Sequence, residues 1–244
     1  MVHLKKVAFH PERYPTRECY PFDLAIFRES GPVSFDTRVT FFVGENGTGK
    51  STLLKALARK CRIAIWDGEG RTRFHRNPFE NEFHKAIDII WNSGRVPGSF
   101  FASEIFRNFA QLLDEWASAD PGLLKYFGGE SLMSKSHGQS LLAFFEARYR
   151  IRGLYFLDEP ETALSPGSQL DLLRILDAAV RAGQAQFIIA THSPILLALP
   201  GARILSFDHS TIREAAYIET DHYRIYKDFM ADQQKYLREI QGPR

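Results

Sequence analysis

Cysteine and long apolar runs are scarce in this sequence. Its two cysteines, Cys19 and Cys61, are far apart in a chain of 244 residues and form no Cys-x-x-Cys pattern. This usage fits a reducing compartment and excludes a structural zinc site built on paired cysteines. Since no apolar run reaches about eighteen residues and the N-terminus lacks the apolar segment of a signal peptide, we expect no membrane-spanning helix and a cytoplasmic protein.

An excess of charge of one sign is also missing. The chain carries 31 Lys and Arg against 29 Asp and Glu, a formal net charge of +2. This balance argues against a surface coated with positive charge for nucleic acid, although it leaves room for a local basic patch. Hydrophobic residues make up 44% and charged residues 25%, which is typical of a globular protein rather than a disordered one. A chain of this length buries about 70% of its extended surface, so we expect one domain over residues 1–244, at most with a lobe.

Short apolar runs alternate with helical patterns in much of the chain, which predicts an α/β fold. The predicted elements of this core are strands at 37–43, 153–159 and 185–193, helices at 50–60 and 168–183, and a late hairpin over 203–219. Further strands are predicted, from apolar runs between turn residues, at 2–9, 21–27, 61–66 and 71–76. The periodicity of residues 221–240 predicts one amphipathic helix at the C-terminus.

The stretch from about residue 79 to 150 has a mainly helical pattern instead. Apolar residues recur at helical spacing over residues 82–91, 103–117 and 137–150. We therefore expect a helical subdomain, inserted at 79–150 into the α/β core.

One segment between a predicted strand and a predicted helix matches the phosphate-binding pattern G-x-x-x-x-G-K-[ST]. Its residues are Gly44, Glu45, Asn46, Gly47, Thr48, Gly49, Lys50, Ser51 and Thr52. The glycines allow successive backbone N–H groups to point at phosphate oxygens, and the helix N-terminus adds the positive end of its dipole. Lys50 supplies a charge for the β- and γ-phosphates, Ser51 a hydroxyl for Mg²⁺, and Thr52 is expected to cap the first helical turn. The segment predicts nucleotide binding.

Two acids follow the predicted strand at 153–159. A strand that ends beside a phosphate loop would place Asp158 in the coordination shell of Mg²⁺. Glu159, one residue further on, is positioned to hold an attacking water as a general base. An ordinary solvated strand end is the alternative interpretation of this pair.

Polar residues also lie at the end of the predicted strand at 185–193. If this strand lies next to the one that precedes the phosphate loop, Thr191 or His192 would neighbour the γ-phosphate. A single histidine in such a place is more often structural than functional, so the residues alone leave its role open.

Together these motifs resemble a known family. The segments 44–52, 136–140 (SHGQS), 154–161 (LYFLDEPE) and 190–194 (ATHSP) occur in the order found in ATP-binding-cassette (ABC) ATPases. They are most similar to the stand-alone group called AAA family ATPases, whose cassette-type domains are akin to SMC heads. The resemblance implies a P-loop NTPase fold with an ABC-type core, a mixed sheet flanked by helices, and an inserted helical subdomain.

The resemblance also implies roles for individual residues. Lys50 belongs to Walker A, Asp158 is the Walker B aspartate and Glu159 the catalytic glutamate, while His192 is the switch histidine that senses the γ-phosphate. The signature motif falls on Ser136, Gly138 and Gln139, ahead of a helix with an apolar face. In the family this helix end meets the ATP of the other subunit, which implies a head-to-tail homodimer with two shared sites. The alternative for Ser136 is a plain N-cap.

The sequence departs from the family pattern at three places. His137 replaces the first glycine of the signature, and Ser165 stands where the loop after the catalytic glutamate usually ends in aspartate. No glutamine occurs between Ser51 and Gln111, so the usual Q-loop is not evident. Ser103 or Glu104 could substitute for it, although both also suit a helix start.

The adenine-stacking residue, any nucleic-acid patch and any partner groove are not specified by the motifs. The aromatic candidates upstream of the phosphate loop are Tyr14, Tyr20 and Phe22, each better suited to core or turn. A small basic cluster consists of Arg71, Arg73, His75 and Arg76 around Phe74 and suits a solvated strand face better than a nucleic-acid contact. A C-terminal stripe of Tyr223, Tyr226, Phe229 and Tyr236 is expected to pack onto the body of the protein rather than to form a partner groove.

We therefore expect a Mg²⁺-dependent ATPase whose homodimer closes on ATP and opens on hydrolysis, as a motor or switch for an unidentified process. The main alternative is a nucleotide-gated binding module with very slow turnover that acts on a partner protein or nucleic acid. A small-molecule kinase and the ATPase subunit of a transporter are two further alternatives.

Overall fold

The structure, a computed structural model, describes residues 2–65, 77–127, 129, 131 and 137–241. The strands in this part of the chain are β1 (Leu4–Phe9), β2 (Val33–Ser34), β3 (Val39–Val43), β4 (Ile87–Trp91), β5 (Gly98–Ala102), β6 (Gly153–Asp158), β7 (Ala185–Ala190), β8 (Arg203–Ser206) and β9 (Arg213–Glu214). The α-helices are α1 (Ala25–Glu29), α2 (Lys50–Lys60), α3 (Ser103–Ala119), α4 (His137–Arg148), α5 (Pro166–Arg181), α6 (Pro194–Leu197), α7 (Asp221–Ala231) and α8 (Gln233–Gln241). No helix among the described residues is both long and apolar enough to cross a membrane.

A six-stranded mixed sheet forms the centre of the fold. Its strand order is β5-β6-β7-β3-β8-β9, with the first five strands parallel and β9 antiparallel at one edge. Ala190 of β7 pairs with Phe42 of β3 on one side and with Asp158 of β6 on the other. The carboxyl ends of β3, β6 and β7 therefore lie side by side, and the loops after them meet at one edge of the sheet.

Both faces of the central sheet are covered, because every residue of β3, β6 and β7 is buried. Alternate residues point to opposite faces of a strand. Phe156 and Ile188 pack with Leu53 and Leu57 of α2 on one face. Tyr155 and Phe187 pack with Phe145 of α4 and with α5 on the other. Continuous apolar strands between helix layers are typical of a parallel α/β sheet.

A second sheet of three antiparallel strands, in the order β2-β1-β4, adjoins the first. Its attachment depends on Gln186, a fully buried residue of β7. The Gln186 Oε1 atom accepts hydrogen bonds from the backbone N–H of His3 (2.7 Å) and Leu4 (2.8 Å), and its Nε2 donates to the Leu4 carbonyl (3.0 Å). A buried amide that satisfies three backbone contacts fixes the start of β1 against the end of the central sheet.

The α/β expectation is confirmed, and so are most elements of the core. The strands predicted at 37–43, 153–159 and 185–193 are β3, β6 and β7, and the late hairpin is β8 and β9. The helix predicted at 50–60 is α2 with the same bounds. The helices predicted at 103–117 and 137–150 are α3 and α4. The division into a core and an insert at 79–150 stays a prediction.

Two predictions of element type are wrong. Residues 82–91 were expected to be helical, but they form a short 3-10 helix (Phe83–Ala86) followed by β4. The cluster of Ile87, Ile89 and Ile90 favours a strand, which pairs with β1, over the helical spacing of the same residues. Conversely, the strand expected at 21–27 is a turn followed by α1, because an apolar run this short fits either element.

Two further predictions need correction. Residues 61–65 contain no strand, although Cys61 and Ile63 are buried in the core; the rest of that segment and the strand expected at 71–76 lie outside the described residues. The single C-terminal helix is divided at Asp232, whose φ of −147° is not helical. The Asp232 Oδ1 atom accepts a hydrogen bond from the backbone N–H of Lys235 (3.2 Å), which caps α8 and explains the break.

Candidate functional site

The predicted phosphate loop connects β3 to α2 and has the backbone that its glycines suggest. Gly44, Gly47 and Gly49 have φ angles of 143°, 82° and 102°, in the region that side chains rarely adopt. A Cβ atom on Gly49 would lie 2.7 Å from the ring of Phe27, and one on Gly44 would lie 2.9 Å from the carboxylate of Asp208. Both the angles and the space therefore require glycine at these two positions.

Lys50 lies inside this loop and is only 5% exposed. Its Nζ atom donates hydrogen bonds to the carbonyls of Gly44 (2.6 Å) and Glu45 (2.8 Å). Burial lowers the pKa of the ammonium, while the carboxylates of Glu159 and Asp208 act against this shift. The loop thus holds a positive charge among backbone groups, an arrangement suited to a polyanion.

Ser51 and Asp158 bring the first turn of α2 to the end of β6. The Ser51 hydroxyl donates a hydrogen bond of 2.7 Å to Oδ1 of Asp158, whose side chain is largely buried. Thr52 does not cap the first turn as expected: the N-cap position is Gly49, without a side-chain cap. The Thr52 hydroxyl instead contacts the hydroxyl of Tyr20.

Glu159 has an unusual backbone conformation. Its φ of 47° and ψ of 56° are left-handed, which costs on the order of 1–3 kcal/mol for a residue with a side chain. The conformation is held by hydrogen bonds from the Glu159 N–H to the Ala190 carbonyl (2.9 Å) and from the Ser103 and Thr162 hydroxyls to the Glu159 carbonyl (2.9 Å each). The carboxylate is left 38% exposed at the edge of the sheet, where it is free to contact a ligand.

His192 follows β7, the strand between those that carry the phosphate loop and the two acids. Its Nε2 atom lies 3.7 Å from Oε1 of Glu159, and its backbone N–H donates to Oε1 of Glu161 (2.6 Å). Its Nδ1 atom lies 2.8 Å from Nε2 of His222, at the start of α7. Burial lowers the pKa of His192, and the nearby charge of Lys50 lowers it further. The imidazole is therefore favoured in its neutral form.

The predicted signature motif is only partly described. Ser136 and the side chain of His137 lie outside the described part of the chain. Gly138 and Gln139 lie in the first turn of α4, with Gln139 exposed and Gly138 beside the Ala163 carbonyl. Their contact with a second subunit stays a prediction. Ser165, in the loop after Glu159, caps α5 by accepting a hydrogen bond from the N–H of Ser168 (3.2 Å).

The structure separates the two Q-loop candidates. Ser103 is the first residue of α3, directly after β5, and its hydroxyl is bonded to the Glu159 carbonyl. It therefore supports the backbone of the predicted catalytic glutamate. The side chain of Glu104 lies outside the described part of the structure.

The aromatic candidates for adenine stacking also differ. Phe22 is 1% exposed and packs on Tyr14, with ring centroids 4.8 Å apart. The Tyr14 hydroxyl donates a hydrogen bond to the Phe27 carbonyl. Burial raises the pKa of Tyr14 to about 12. These two belong to the core, as expected. Tyr20 is 39% exposed beside α2 and remains a candidate.

Two other sequence predictions fare differently. The basic cluster at 71–76 falls outside the described residues. The C-terminal stripe is not packed onto the body as expected, because Tyr226 and Phe229 are 54% and 36% exposed. Tyr223 does contact Tyr217, with ring centroids 4.7 Å apart, and Phe229 packs against Tyr236 within the two C-terminal helices.

Three acidic or imidazole side chains at the site were missed by the sequence analysis. Asp208 follows β8, and its Oδ1 accepts a hydrogen bond from the backbone N–H of Glu45 in the phosphate loop (2.7 Å). Its position directly after a predicted apolar strand could have identified Asp208 as a site residue from the sequence. Glu161 was visible in the Asp-Glu-Pro-Glu segment, and burial raises the pKa of its carboxyl group. His222 had no local signal, because its partner is distant in the sequence.

This combination of fold and site defines the class of protein. A phosphate loop after β3, an Asp-Glu pair after β6 and a histidine after the intervening β7 converge at one edge of a mixed sheet. The fold and the site are those of an ABC-type P-loop ATPase, an enzyme that binds and hydrolyses ATP.

Comparisons with known proteins agree with this class. The family model described as "AAA domain, putative AbiEii toxin, Type IV TA system" matches residues 134–198. The hemin import ATP-binding protein HmuV of Enterobacter cloacae is 28% identical over 194 residues, covering 73% of this chain and 74% of that protein. The ferric enterobactin transport ATP-binding protein FepC of Escherichia coli (strain K12) is 26% identical over 159 residues, covering 58% of this chain and 57% of that protein. Among solved structures, the ADP conformation of MJ1267, an ATP-binding cassette of an ABC transporter, aligns over 100% of both chains with a TM-score of 0.52 and 15% identity, which shows a common fold.

Proposed function

We propose that this chain hydrolyses Mg²⁺-bound ATP at the shared carboxyl edge of β3, β6 and β7, and that ATP closes two copies of it into a dimer. The observation that carries the hydrolytic part is the contact of 2.7 Å between Ser51 and Asp158, beside the ammonium of Lys50 and the carboxylate of Glu159.

The two contacting oxygens suit the magnesium ion that such an ATPase requires. Mg²⁺ prefers hydroxyl, carboxylate, phosphate and water oxygens and takes few ligands from the protein. The Ser51 hydroxyl and the Asp158 carboxylate would be those protein ligands. When bound, the ion supplies neutralisation of the charge on the β- and γ-phosphate oxygens.

The remaining steps belong to side chains of this chain. Lys50 and the loop N–H groups bind and orient the phosphates. Glu159 accepts a proton from water as the water oxygen bonds to the γ-phosphorus and the bond from that phosphorus to the β-γ bridging oxygen breaks. The products are ADP and inorganic phosphate. His192 donates a hydrogen bond from Nε2 to a γ-phosphate oxygen and stabilises the charge of the transition state.

The hydrolytic part is tested with Glu159→Gln, which removes the proton acceptor but keeps the shape of the side chain. We expect the rate of phosphate release at saturating ATP to fall by about 10²–10⁴-fold, with ATP affinity retained. Glu29→Gln, at the exposed end of α1, is the matched control and should keep the wild-type rate. An undiminished rate in Glu159→Gln would show that Glu159 is not the base.

The dimer is supported by the family resemblance and by the position of Gly138 and Gln139 in the first turn of α4. The N–H groups of a helix N-terminus bind anions, which suits contact with a γ-phosphate held by another copy. Light scattering on Glu159→Gln should show a doubled mass when Mg-ATP is added, and Ser136→Arg in the same background should abolish the doubling. ATP binding without any change in mass would contradict the dimer.

The outcome of these experiments also decides between the alternatives. ATP binding with no turnover under any condition would replace the proposal with a nucleotide-gated module that acts on a partner protein or nucleic acid. The names of HmuV and FepC favour a second candidate role, the ATPase subunit of an importer. That role predicts that the protein, extracted from its native cells in mild detergent, stays bound to an integral membrane protein; recovery without such a partner contradicts it.

A further inference from the structure

His222 joins the C-terminal part of the chain to the site. It is the second residue of α7, and its Nε2 atom lies 2.8 Å from Nδ1 of His192, with ring centroids 5.0 Å apart at an interplanar angle of 48°. This distance is short enough for a hydrogen bond between the two nitrogens. His222 is thus in direct contact with the proposed switch histidine.

Neighbouring contacts fix the start of α7 against the loop that carries His192. The Tyr217 hydroxyl donates to the Pro194 carbonyl (3.0 Å), two residues beyond His192. Thr220 is 5% exposed and caps α7 by accepting a hydrogen bond from the N–H of Tyr223 (3.3 Å). Because His222 follows these two contacts closely in the chain, its backbone is held beside the loop that carries His192.

The hydrogen bond between the two rings limits which nitrogen of His192 can carry a proton. Two neutral imidazoles share one proton in this contact. If His192 donated from Nδ1, its Nε2 would present a lone pair towards Oε1 of Glu159, 3.7 Å away. If His222 donates instead, the Nε2 of His192 carries a hydrogen and becomes a donor. This Nε2 atom is buried and has no hydrogen-bond partner within the described residues.

The surroundings favour neutral rings and a donor at this atom. Burial lowers the pKa of both histidines, and the ammonium of Lys50 lowers both further. The carboxylates of Glu159 and Glu45 face His192, and those of Asp208, Glu45 and Asp221 face His222, with the opposite effect. With the rings neutral, the choice of tautomer decides whether His192 can donate to an anion.

We propose that His222 is a positioning residue, which donates its Nε2–H to Nδ1 of His192 and so holds His192 in the tautomer that presents Nε2–H to the γ-phosphate. The inference rests on the role proposed above for His192. Through it, the start of α7 becomes part of the hydrolytic machinery, although it lies 30 residues beyond the histidine in the sequence.

The first test compares substitutions at His222 in the full chain. His222→Leu removes the donor, whereas His222→Gln keeps an N–H₂ group that can donate to His192. We expect kcat for ATP hydrolysis to fall about tenfold in His222→Leu, the loss expected for one well-placed hydrogen bond. KM should change less than about twofold, and His222→Gln should recover most of kcat. His84→Leu, on the 3-10 helix before β4, is the matched control and should behave as the wild type.

The second test reads the tautomer directly. Long-range proton–nitrogen NMR of the imidazoles distinguishes a protonated Nε2 from a protonated Nδ1, and comparison with the spectrum of His192→Leu identifies the signals of His192. The proposal predicts protonated Nε2 in the wild type and in His222→Gln, and a mixture of tautomers in His222→Leu. Protonated Nδ1 in the wild type, or an unchanged kcat in His222→Leu, overturns the inference.

The roles proposed for His192 and for His222 can be disproved separately. If His192→Leu hydrolyses ATP at the wild-type rate, the role proposed for His192 is wrong and the inference falls with it. If His192→Leu is impaired while a folded His222→Leu is not, the proposed function stands and the inference alone is wrong. Thermal unfolding of His222→Leu and His222→Gln shows whether a lost rate reflects a lost fold.

Discussion

Two regions of the molecule differ in the kind of side chain that they bury. One is the edge of the central sheet where β3, β6 and β7 end, and the other consists of the C-terminal helices α7 and α8. At the edge, two charged side chains are buried and hydrogen-bonded: Lys50 is 5% and Asp158 8% exposed. On α7, apolar groups are exposed instead, with Ile225 at 55% and Met230 at 69%. Yet α7 also supplies His222 to the edge.

The difference shows what each region depends on. Buried polar groups at the edge need partners of the right chemistry at the right distance, because an unpaired buried group costs about 1–3 kcal/mol. The exposed face of α7 has no such requirement. The edge should therefore be intolerant of substitution, whereas α7 should be tolerant except where His222 contacts His192.

Apolar side chains should show the greatest contrast between the two regions. Phe187 of β7 is fully buried, and Phe187→Ala should lower the free energy of unfolding by about 3–5 kcal/mol. Phe229 of α7 is 36% exposed, and Phe229→Ala should cost less than about 1 kcal/mol. Urea denaturation followed by circular dichroism measures both. Equal losses would mean that α7 is as well packed as the core.

A smaller effect compares two carboxylates. Glu161 is partly buried and accepts the backbone N–H of His192, so Glu161→Ala should cost about 1–3 kcal/mol of stability and reduce ATP turnover. Asp228 of α7 makes an exposed ion pair with Lys235, and Asp228→Ala should cost less than about 1 kcal/mol. Glu161→Gln keeps an acceptor and should lie near the wild type. A larger loss in Asp228→Ala than in Glu161→Ala would reverse the comparison.

The smallest effect concerns pH. Burial lowers the pKa of His192 and His222 below the ordinary value of 6.5, so the unfolded chain binds more protons than the folded chain as the pH falls through this range. Stability is therefore lost on acidification from about pH 7.5 to about pH 5.5. His222→Leu should lose less over the same interval.

This difference is read from the melting temperatures of the two proteins at both pH values. The raised pKa of Glu161 acts in the opposite direction but is common to both proteins, so it does not account for the difference. The lowered pKa of Asp228 acts only below its ordinary value of 3.8, outside the interval. An equal loss in both proteins would show that His222 titrates alike in the folded and unfolded chains.

The same comparison explains which parts of the molecule were predictable from the sequence. The phosphate loop is one continuous segment of the chain, and Asp158 and Glu159 are neighbours in the sequence. Each of these two motifs follows a buried apolar strand, so composition and residue order identify both. The adjacency of β3 and β7 could be stated only as a condition. His222 was not predictable, because the contact with His192 depends on how α7 packs against α6.

The wrong element predictions have a similar physical origin. Residues 82–91 carry apolar side chains at helical spacing, but pairing with β1 decides their conformation. The helical pattern of residues 221–240 is continuous, but Asp232 within it is a residue type that caps helices and ends one helix before the next begins. Local pattern therefore predicted elements whose own sequence determines them and failed where a partner strand or a single cap decides.

The most direct test of the central claim is to let the wild-type protein and Glu159→Gln act on Mg-ATP in water labelled with heavy oxygen, and to analyse the phosphate by mass spectrometry. Direct attack of a water on the γ-phosphate predicts one heavy oxygen in each phosphate released by the wild type, and almost no release by Glu159→Gln within the same time. Phosphate without the label, transfer of the phosphoryl group to another acceptor, or equal release by the two proteins would contradict hydrolysis at this site.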